Sequence, residues 1–479
     1  MIIKSFRRSL MAVVVVVVFA YKTVKSNVNV HTRRINTTIN ANSTMRSDKV
    51  KFLDEETYEL AFEPLPSSTS KAQKATPHRY EIMYGQFLIP YYDRKPRMKM
   101  LEIGSGCDDI LSASVALWRN LFPQMELWEA GHSSACVERS KERGDLDDDV
   151  NILSGDQANN STLKKWVKDS GGANFDVVID VGGHVQCQSM SSFETLWRKL
   201  LPGGLYFFEN MNVSSSHVCD NNTQNVLDML KQKLDITVHA VQDDAKFFFC
   251  QQDACVIGKN GPTLTNYGES IFFSAAKSLT PTTDKVTSHR YQIMYGQFLI
   301  PYYERKPHMK MLEIGLGCDM NYGPGASVAL WRKLFPQTAK WEAEYGANCV
   351  EKSKERGDLD GLSVLVGDQG DIPTLDNWVH DSGGANFDVV IDDGGHQQCQ
   401  IWTTFLKLWP PLLPGGLYFI EDLQVSRHRK YQGHGNSLCK QGTNVVEMMK
   451  EMIDDLVHQR QTDVQFIFCQ RDACMLRKK

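Results

Sequence analysis

The sequence predicts two tandem α/β domains, each with a doubly wound, mainly parallel sheet that ends in an antiparallel hairpin. First, the chain repeats itself, since the phrase IMYGQFLIPYY occurs at 82–92 and again at 293–303. Second, short apolar strands alternate with helical segments in each repeat, which is typical of a sheet covered on both faces by helices. Third, each repeat closes with two β-rich runs around a pair of cysteines, which indicates a hairpin.

The repeat divides the chain into five predicted segments. Residues 77–258 are the first repeat and 287–479 the second repeat, each long enough for its own core. Residues 259–286 are predicted to be a linker. Residues 22–76 are rich in Asn, Thr, Ser and Lys and are predicted to be a stem. Residues 1–21 resemble a targeting segment.

That targeting segment has a basic start followed by a short apolar run. Lys4, Arg7 and Arg8 precede the apolar residues 10–21, the order found in signal sequences. The run is short beside the ~20 residues of a membrane span, so a cleaved signal peptide and a type II signal-anchor both remain open. Either one places the rest of the chain in the secretory pathway, as a glycoprotein that is secreted or anchored in the Golgi membrane with luminal domains. If the segment is uncleaved, it is the predicted membrane contact.

Charge and cysteine content narrow the class of protein further. The net charge of −4, without a basic stripe, gives no reason to expect a nucleic-acid partner. Twelve cysteines fall in the same order in both repeats, six in each, and an even set behind a signal sequence indicates disulfides rather than zinc. Cys469 and Cys474 flank a hairpin turn and are predicted to bond to each other. The sequence does not determine the oligomeric state.

The elements of the second repeat follow from their own patterns. Apolar runs predict strands, and apolar residues at helical spacing predict helices. Pro301 is expected to end the first helix. The predicted elements are a lead-in helix at 291–303, strands at 310–314, 340–343, 363–366, 387–392, 417–421, 464–469 and 474–477, and helices at 326–334 and 402–408.

Acids and glycines follow the first five predicted strands of the second repeat. Ligands of doubly wound sheets bind at the carboxyl ends of the strands, so this ordered set is hard to explain as packing or as solvated strand ends. Its members, in strand order, are Gly315 and Gly317, then Glu342 and Glu344, then Asp368, then Asp392, Asp393 and His396, and finally Glu421 and Asp422.

Two of these motifs indicate chemistry. Gly315 and Gly317 let the backbone approach a ligand closely, but the third glycine of a dinucleotide-binding loop is missing. Glu313 would repel a pyrophosphate and would suit a cationic amine, so a nicotinamide oxidoreductase is disfavoured. The acids after the fourth and fifth strands can share a divalent cation, and His396 is close enough to act as a general base.

Together with the lead-in YGQFLIPYYE, these motifs resemble class I S-adenosylmethionine-dependent methyltransferases. Within that class they resemble the metal-dependent macrolide-sugar O-methyltransferases of the mycinamicin type and the cephalosporin-hydroxylase-like proteins. The resemblance spans most of each repeat and implies two tandem Rossmann-like methyltransferase domains.

The resemblance also implies roles for individual residues. Glu313 would meet the amine of S-adenosylmethionine, Glu342 the ribose hydroxyls and Asp368 the adenine, and His396 would be the catalytic base. The implied cofactor-binding residues are Glu313, Gly315, Gly317, Glu342, Asp368 and Asp392, and the implied ligands of Mg²⁺ or another divalent cation are Asp393, Glu421 and Asp422.

The predicted function is therefore an S-adenosylmethionine- and metal-dependent O-methyltransferase acting on a sugar or glycan hydroxyl in the secretory pathway. The alternative is a non-enzymatic, secreted or membrane-anchored binding or adhesion protein built on a decayed methyltransferase fold. The intact acids of the second repeat argue against that alternative. The loop 426–430 is basic, and it would either recognise an anionic glycan such as a uronate or simply be solvated.

The two repeats differ at the predicted metal site. The first repeat keeps Glu129 and Asp156, opposite Glu342 and Asp368. However, it has Val181 where the second repeat has Asp393, and Asn210 where the second repeat has Asp422. We therefore expect the first repeat to bind cofactor weakly or not at all and to act as a scaffold or an acceptor-binding partner.

Overall fold

Fourteen strands of the described residues form one continuous sheet. The computed structural model describes residues 80–104, 110–133, 149–181, 186–212, 225–239, 243–261, 266–318, 325–460 and 462–479, with isolated positions between 135 and 142. The predicted signal segment and stem lie outside these residues. Among the helices within these ranges, none is both long and apolar enough to span a membrane.

The first repeat contributes seven of these strands. They are β1 (Lys99–Ile103), β2 (Glu126–Gly131), β3 (Asn151–Ser154), β4 (Val177–Asp180), β5 (Leu205–Phe208), β6 (Ala245–Gln251) and β7 (Ala254–Lys259). Its helices are α1 (Tyr80–Met83), α2 (Ile89–Arg94), α3 (Ile110–Leu121), α4 (Asn160–Asp169), α5 (Gln186–Leu196) and α6 (Val226–His239), with a π-helical turn at Tyr84–Leu88 and a 3₁₀ turn at Trp197–Lys199.

The second repeat and the segment before it contain the remaining elements. The strands are β8 (Lys310–Ile314), β9 (Ala339–Glu344), β10 (Ser363–Val366), β11 (Val389–Asp392), β12 (Leu417–Ile420), β13 (Val464–Gln470) and β14 (Ala473–Lys478). The helices are α7 (Tyr267–Lys277), α8 (Asp284–Thr287), α9 (Gln292–Met294), α10 (Ile300–Arg305), α11 (Ala326–Leu334), α12 (Ala347–Glu355), α13 (Ile372–Asp381), α14 (Gln398–Leu408) and α15 (Val445–Val457). A π-helical turn lies at Tyr295–Leu299, and 3₁₀ turns lie at Leu423–Arg427 and Arg429–Tyr431.

Both repeats arrange their strands in the same order. The order is β3-β2-β1-β4-β5-β7-β6 in the first repeat and β10-β9-β8-β11-β12-β14-β13 in the second. The first five strands of each repeat run parallel, and the last two form an antiparallel hairpin. Central strands such as β11 and β12 are buried along their whole length, as their apolar sequences require. The predicted α/β class, with a mainly parallel sheet and an antiparallel hairpin at the end of each repeat, is confirmed.

The hairpins of the two repeats join the two halves of the sheet. Strand β6 pairs antiparallel with β13, so neither strand is left as an open edge. Phenylalanines pack across this junction: the ring centroids of Phe247 and Phe468 are 5.4 Å apart, and those of Phe249 and Phe466 are 4.9 Å apart. The two repeats therefore share a hydrophobic core on both faces of the sheet.

The lead-in helix does not end at its proline, contrary to the prediction. Pro301 lies in the first turn of α10, which continues directly from the π-helical turn. A proline cannot donate to the carbonyl four residues earlier, here that of Gln297. Instead, the side-chain amide of Gln86 donates to the Gln297 carbonyl at 2.8 Å, and Gln297 donates to the Gln86 carbonyl at 2.7 Å. The two repeats thus satisfy each other's open carbonyls.

The segment predicted as a linker is largely ordered secondary structure. Within 259–286, helix α7 begins at an Asn266 cap, whose side chain accepts from the backbone N–H of Glu269. Helix α8 follows, and its Lys285 and Val286 are buried. The apolar residues of α7 and α8 pack into the core, so this segment is part of the packed structure.

Candidate active site

The predicted site residues of the second repeat meet where three neighbouring strands end. Asp392, the last residue of β11, pairs with Ile314 of β8 on one side and Ile420 of β12 on the other. From β8 the chain turns to β9, whereas β11 lies on the opposite side of β8. Such a switch point opens a crevice at the carboxyl ends of the strands. The residues next along the chain, Gly315 and Asp393 among them, surround this crevice.

Asp393, His396 and Asp422 form a compact group of potential metal ligands. One ligand atom from each lies within 4.8 Å of the other two, and His396 Nε2 is 3.4 Å from Asp422 Oδ2. All three side chains are half-buried. Two carboxylate oxygens and one imidazole nitrogen are donors that divalent cations accept. The arrangement therefore fits a divalent cation.

The backbone and a tyrosine hold Asp422 in this group. Asp422 and His396 both adopt left-handed backbone conformations, with φ of 57° and 55°, and such conformations in residues with a Cβ cluster at functional sites. The Tyr291 hydroxyl donates to Asp422 Oδ1 at 2.8 Å and accepts from the Asp422 N–H at 3.0 Å. Burial alone would raise the pKa of Asp422, but His396 and His289 hold it below its ordinary value. Asp422 is therefore charged and oriented.

Glu421 does not join the metal-ligand group, contrary to the prediction. One of its carboxylate oxygens is 2.7 Å from Lys285 Nζ, and the other accepts from the Tyr295 hydroxyl. Its side chain is 1% exposed. Since Glu421 is already paired on both oxygens, the structure groups two of the three predicted carboxylate ligands with His396 and assigns the third to Lys285.

Lys285 is the site residue that sequence reasoning missed. Its ammonium is buried and lies 2.7 Å from Asp393 Oδ2, 2.7 Å from Glu421 Oε2 and 3.4 Å from Glu313 Oε1. Burial alone would lower the pKa of Lys285, but these three carboxylates hold it well above its usual value. A sequence signal existed, because Lys74 stands at the matching position of the first repeat, six residues before the motif tyrosine.

Glu313 faces this lysine rather than the cofactor crevice. Its side chain is fully buried, and the Ser327 hydroxyl donates to Oε2 at 2.7 Å. The predicted cationic partner is therefore the ammonium of Lys285, from the chain itself. The prediction that Glu313 meets the amine of the cofactor does not fit this burial.

Glu344, not Glu342, stands at the end of β9. Glu342 is 1% exposed, and burial together with Glu313 raises its pKa well above the ordinary value. Its carboxylate therefore has almost no surface open to the crevice. Glu344 is half-buried at the strand end, where it accepts from the backbone N–H groups of Leu316 at 3.0 Å and Gly346 at 2.9 Å. The ribose-binding role predicted for Glu342 suits Glu344.

Asp368 and Asp392 support the loops around the crevice. Asp368 is half-buried and accepts from the Gly370 N–H at 2.7 Å and from Gln400 Nε2 at 3.0 Å. Asp392 is 2% exposed and accepts from Gln369 Nε2 at 2.9 Å. Burial raises the pKa of Asp392 to about 6. Asp368 remains at the crevice, whereas Asp392 lies beneath its floor.

The glycine loop approaches the metal-ligand loop too closely for any side chain. Gly315 and Gly317 have φ of 105° and 74°, in the region that favours glycine. A Cβ on Gly315 would lie 2.1 Å from the Asp393 carbonyl oxygen. The two loops therefore depend on each other, because a side chain at position 315 would overlap the Asp393 backbone.

The substitution Gly315→Val should push the glycine loop away from the loop that contains Asp393. Because the new side chain must displace the Asp393 backbone, we expect loss of both S-adenosylhomocysteine and Mn²⁺ binding in calorimetric titrations. Gly85→Val is the control, since a Cβ there meets nothing within 4 Å. Retained binding of both ligands by Gly315→Val would show that the loops are independent.

The first repeat keeps the frame of the site without its charges. Asn210 has the same left-handed conformation as Asp422, with φ of 54°, and its N–H donates to the Tyr80 hydroxyl at 2.9 Å. Its side-chain amide donates to the Val181 carbonyl at 2.8 Å. In addition, Gly131 ends β2 where Glu344 ends β9. The first repeat therefore lacks a counterpart of the Glu344 carboxylate as well as those of Asp393 and Asp422.

Disulfides brace the loops of the second-repeat site. Cys318, after the glycine loop, bonds to Cys349 of α12, and Cys399 at the start of α14 bonds to Cys439 in the loop after β12. The predicted bond between Cys469 and Cys474 is confirmed. Its counterpart, Cys250–Cys255, is present in the first repeat.

Comparison with known proteins identifies relatives of one kind. No family profile matches the chain. Over 185 residues, the chain is 32% identical to 8-demethyl-8-alpha-L-rhamnosyl tetracenomycin-C 2'-O-methyltransferase of Streptomyces olivaceus, covering 38% of this chain and 46% of that protein. Over 204 residues it is 29% identical to mycinamicin VI 2''-O-methyltransferase of Micromonospora griseorubida, covering 40% and 48%.

The chain is also similar to a solved structure, and it matches only part of the length of its curated relatives. The MycE methyltransferase of mycinamycin biosynthesis, in complex with Mg, SAH and mycinamycin VI, is 18% identical, with a TM-score of 0.37 and coverage of 57% of this chain and 71% of that chain. The chain spans about half the length of the curated relatives it matches. Those relatives are macrolide and sugar O-methyltransferases, which confirms the resemblance inferred from the motifs.

Proposed function

We propose that the chain is an S-adenosylmethionine- and divalent-metal-dependent O-methyltransferase that acts on a sugar or glycan hydroxyl. The observation that carries the proposal is the group formed by Asp393, His396 and Asp422 beside the Gly315 loop. The names of the curated relatives support it, because they specify O-methyl transfer on glycosylated compounds.

The chain's own residues divide the work in this proposal. Asp393 and Asp422 would hold the cation, and Lys285 pairs with Asp393 Oδ2. When bound, the cation lowers the pKa of an acceptor hydroxyl and S-adenosylmethionine supplies the methyl group. His396 Nε2 accepts the hydroxyl proton, and Asp422 stabilises the resulting imidazolium from 3.4 Å.

The cofactor side of the crevice is assigned to backbone and strand-end groups. Gly315 and Gly317 allow the backbone to approach the methionine part of the cofactor. Glu344 would accept hydrogen bonds from the ribose hydroxyls, because each carboxylate oxygen retains acceptor capacity beyond its one backbone contact. Asp368, at the next strand end, lies on the adenine side.

Calorimetry on the full chain tests the proposal. We expect S-adenosylhomocysteine and Mn²⁺ each to bind, and methyl transfer from labelled S-adenosylmethionine to a panel of α-L-rhamnosides and uronic acid glycosides. Absence of binding for both ligands would favour the non-enzymatic binding protein. Binding of S-adenosylhomocysteine without binding of Mn²⁺ would support a methyltransferase that uses no divalent cation.

The variant His396→Ala tests whether His396 acts as the catalytic base or as a metal ligand. If His396 is the base, the variant should lose roughly 10²–10⁴-fold in methyl transfer while Mn²⁺ affinity stays near that of the wild type. Parallel loss of Mn²⁺ binding would instead make His396 a ligand. His380→Ala, at an exposed histidine in the last turn of α13, is the control and should change neither quantity.

We further propose that the protein works in the secretory pathway, secreted or anchored in the Golgi membrane through residues 1–21. The disulfides support an oxidising compartment. The signal-like segment and the N-x-S/T sequons at Asn36 and Asn42 in the stem support entry into it. A glycosidase-sensitive mass shift of the expressed full chain would support this location. A reduced, unglycosylated chain in the cytosol would contradict it.

A further inference from the structure

The end of α6, in the first repeat, contacts the segment that follows Asp422 in the second repeat. That segment is the 3₁₀ turn Leu423–Arg427, whose first residue is fully buried. Because Asp422 directly precedes this turn, whatever fixes the turn also fixes the direction of the Asp422 carboxylate. Three contacts from α6 reach the turn or its immediate support.

The first contact joins His239 to Ser426. His239 Nε2 lies 2.7 Å from Ser426 Oγ, and Nδ1 lies 2.7 Å from the Asp235 carbonyl oxygen. Since Nδ1 faces a carbonyl it carries the proton, so the serine hydroxyl donates to Nε2. Burial, with Lys450 nearby, lowers the pKa of His239, which agrees with a neutral ring. Ser426 is 1% exposed, so an unpaired hydroxyl there would be costly.

The second contact is ionic. The Arg427 guanidinium pairs with Asp235 Oδ2, and Lys450 lies 3.8 Å from the other oxygen of Asp235. Asp235 is 16% exposed and Arg427 55% exposed. Exposure weakens such a pair, so its main effect is to select one position for the turn.

The third contact runs through the hairpin of the second repeat. The Val238 carbonyl accepts from the Asp472 N–H at 3.1 Å, and the Asp472 carbonyl accepts from the Leu423 N–H at 2.7 Å. The Asp472 carboxylate lies 2.9 Å from His289 Nδ1, and the opposite ring nitrogen of His289 is 3.6 Å from Asp422 Oδ1. Through Asp472, the end of α6 is therefore linked to the Leu423 N–H that follows Asp422 and to the His289 ring beside the Asp422 carboxylate.

The sequence allows this ionic contact from the first-repeat helix to the second-repeat turn, but not the reverse contact. Helix α15 of the second repeat carries Asp454 and His458 at the positions of Asp235 and His239. The first-repeat residue that corresponds to Arg427 is Ser215, which has no charge to offer Asp454. Asp454 instead pairs with Lys231 at 3.1 Å. The sequence thus provides this ionic support for the second-repeat site alone.

We propose that Asp235 and His239 of the first repeat are positioning residues for the second-repeat site, because they hold the turn Leu423–Arg427 and through it Asp422. This gives the first repeat a role that needs no cation of its own. The inference rests on the proposed function in one respect, since Asp422 is taken as a ligand of the cation.

The test measures backbone amide exchange at 423–427 and Mn²⁺ affinity in the full chain. His239→Phe keeps a ring of similar size but leaves the Ser426 hydroxyl unpaired, so exchange should be about tenfold faster. Because supporting residues of a metal ligand carry part of the affinity, Mn²⁺ should bind roughly tenfold more weakly. Asp235→Arg should act in the same direction, and the charge-swapped pair D235R/R427D should restore both quantities.

His458→Phe is the matched control, since it makes the same change at the matching end of α15. It should alter neither the exchange of 423–427 nor the affinity for Mn²⁺. Wild-type exchange in both His239→Phe and Asp235→Arg would overturn the proposal, as would failure of the swapped pair to restore it. If the wild-type chain binds no Mn²⁺, the metal part of the proposed function fails, and the exchange measurement still decides the positioning role.

Discussion

Asp393→Asn should abolish cation binding and lower methyl transfer by about 10²-fold or more, since a metal contributes several kcal/mol to such a reaction. The amide has nearly the same shape as the carboxylate but carries no charge. Glu421 and Glu313 remain beside Lys285, so the fold is expected to survive. Mn²⁺ titration and labelled methyl transfer, with a urea unfolding curve for stability, measure the three effects.

The first repeat offers a control for this variant. Val181→Asp together with Asn210→Asp restores both missing acids there, each 212 residues before its counterpart in the second repeat. Cation binding by the second repeat should be unaffected in that double variant. Turnover near the wild-type rate in Asp393→Asn would contradict the assignment of the site.

Lys285→Met should cost about 3–5 kcal/mol of stability and should also remove Mn²⁺ binding. The methionine fills a similar volume but leaves Asp393, Glu421 and Glu313 without their shared cation, and breaking a buried ion pair by removing one partner has a cost of that size. Asp393 also loses the contact that fixes its Oδ2. The urea midpoint and the Mn²⁺ titration are the measurements.

The loss should depend on pH in a defined direction. Burial and Asp393 raise the pKa of Glu421 well above its ordinary value. A carboxyl with a raised pKa in the folded chain contributes stability below its unfolded pKa and loses it as the pH rises through the folded pKa. In Lys285→Met no buried cation offsets this effect. The variant should therefore become less stable as the pH rises above the ordinary pKa of a glutamate, about 4.3.

Lys74→Met, at the matching position of the first repeat, is the control for Lys285→Met. Lys74 lies outside the described residues, and the comparison rests on its position in the repeat. The control should leave Mn²⁺ affinity unchanged, because Val181 and Asn210 replace the metal-site acids of that repeat. Unchanged stability and Mn²⁺ binding in Lys285→Met would mean that the lysine is dispensable.

Local patterns predicted the strands of the sheet closely. Strands β8 and β10 and helix α11 have the predicted bounds, because apolar runs and helical spacing are properties of neighbouring residues. The lead-in helix was different. Its proline is accommodated because Gln86, from the other repeat, supplies the hydrogen bond that Pro301 cannot make, and no local pattern contains that partner.

The candidate site was predicted only in part, because local patterns do not contain partners from distant parts of the chain. Asp393, His396 and Asp422 follow two strands whose parallel pairing brings their ends together, so their proximity follows from the predicted sheet. The cofactor roles predicted for Glu313 and Glu342 do not fit their burial, because both residues precede the last residue of their strands. Glu344 lies on the same side of β9 as Glu342, since side chains alternate along a strand. Its position at the strand end brings Glu344 to the crevice.

The sequence by itself determined the repeat, the α/β class, the hairpin disulfide of the second repeat and the asymmetry between Asp393 and Val181, since all of these depend on residue identity and local spacing. The tertiary structure alone decided which carboxylates face a ligand and which face Lys285. It also decided that α6 of the first repeat reaches the turn after Asp422. The physical reason is that a buried charge takes its partner from whatever the packed sheet and helices place within about 3 Å, and those neighbours come from distant parts of the chain.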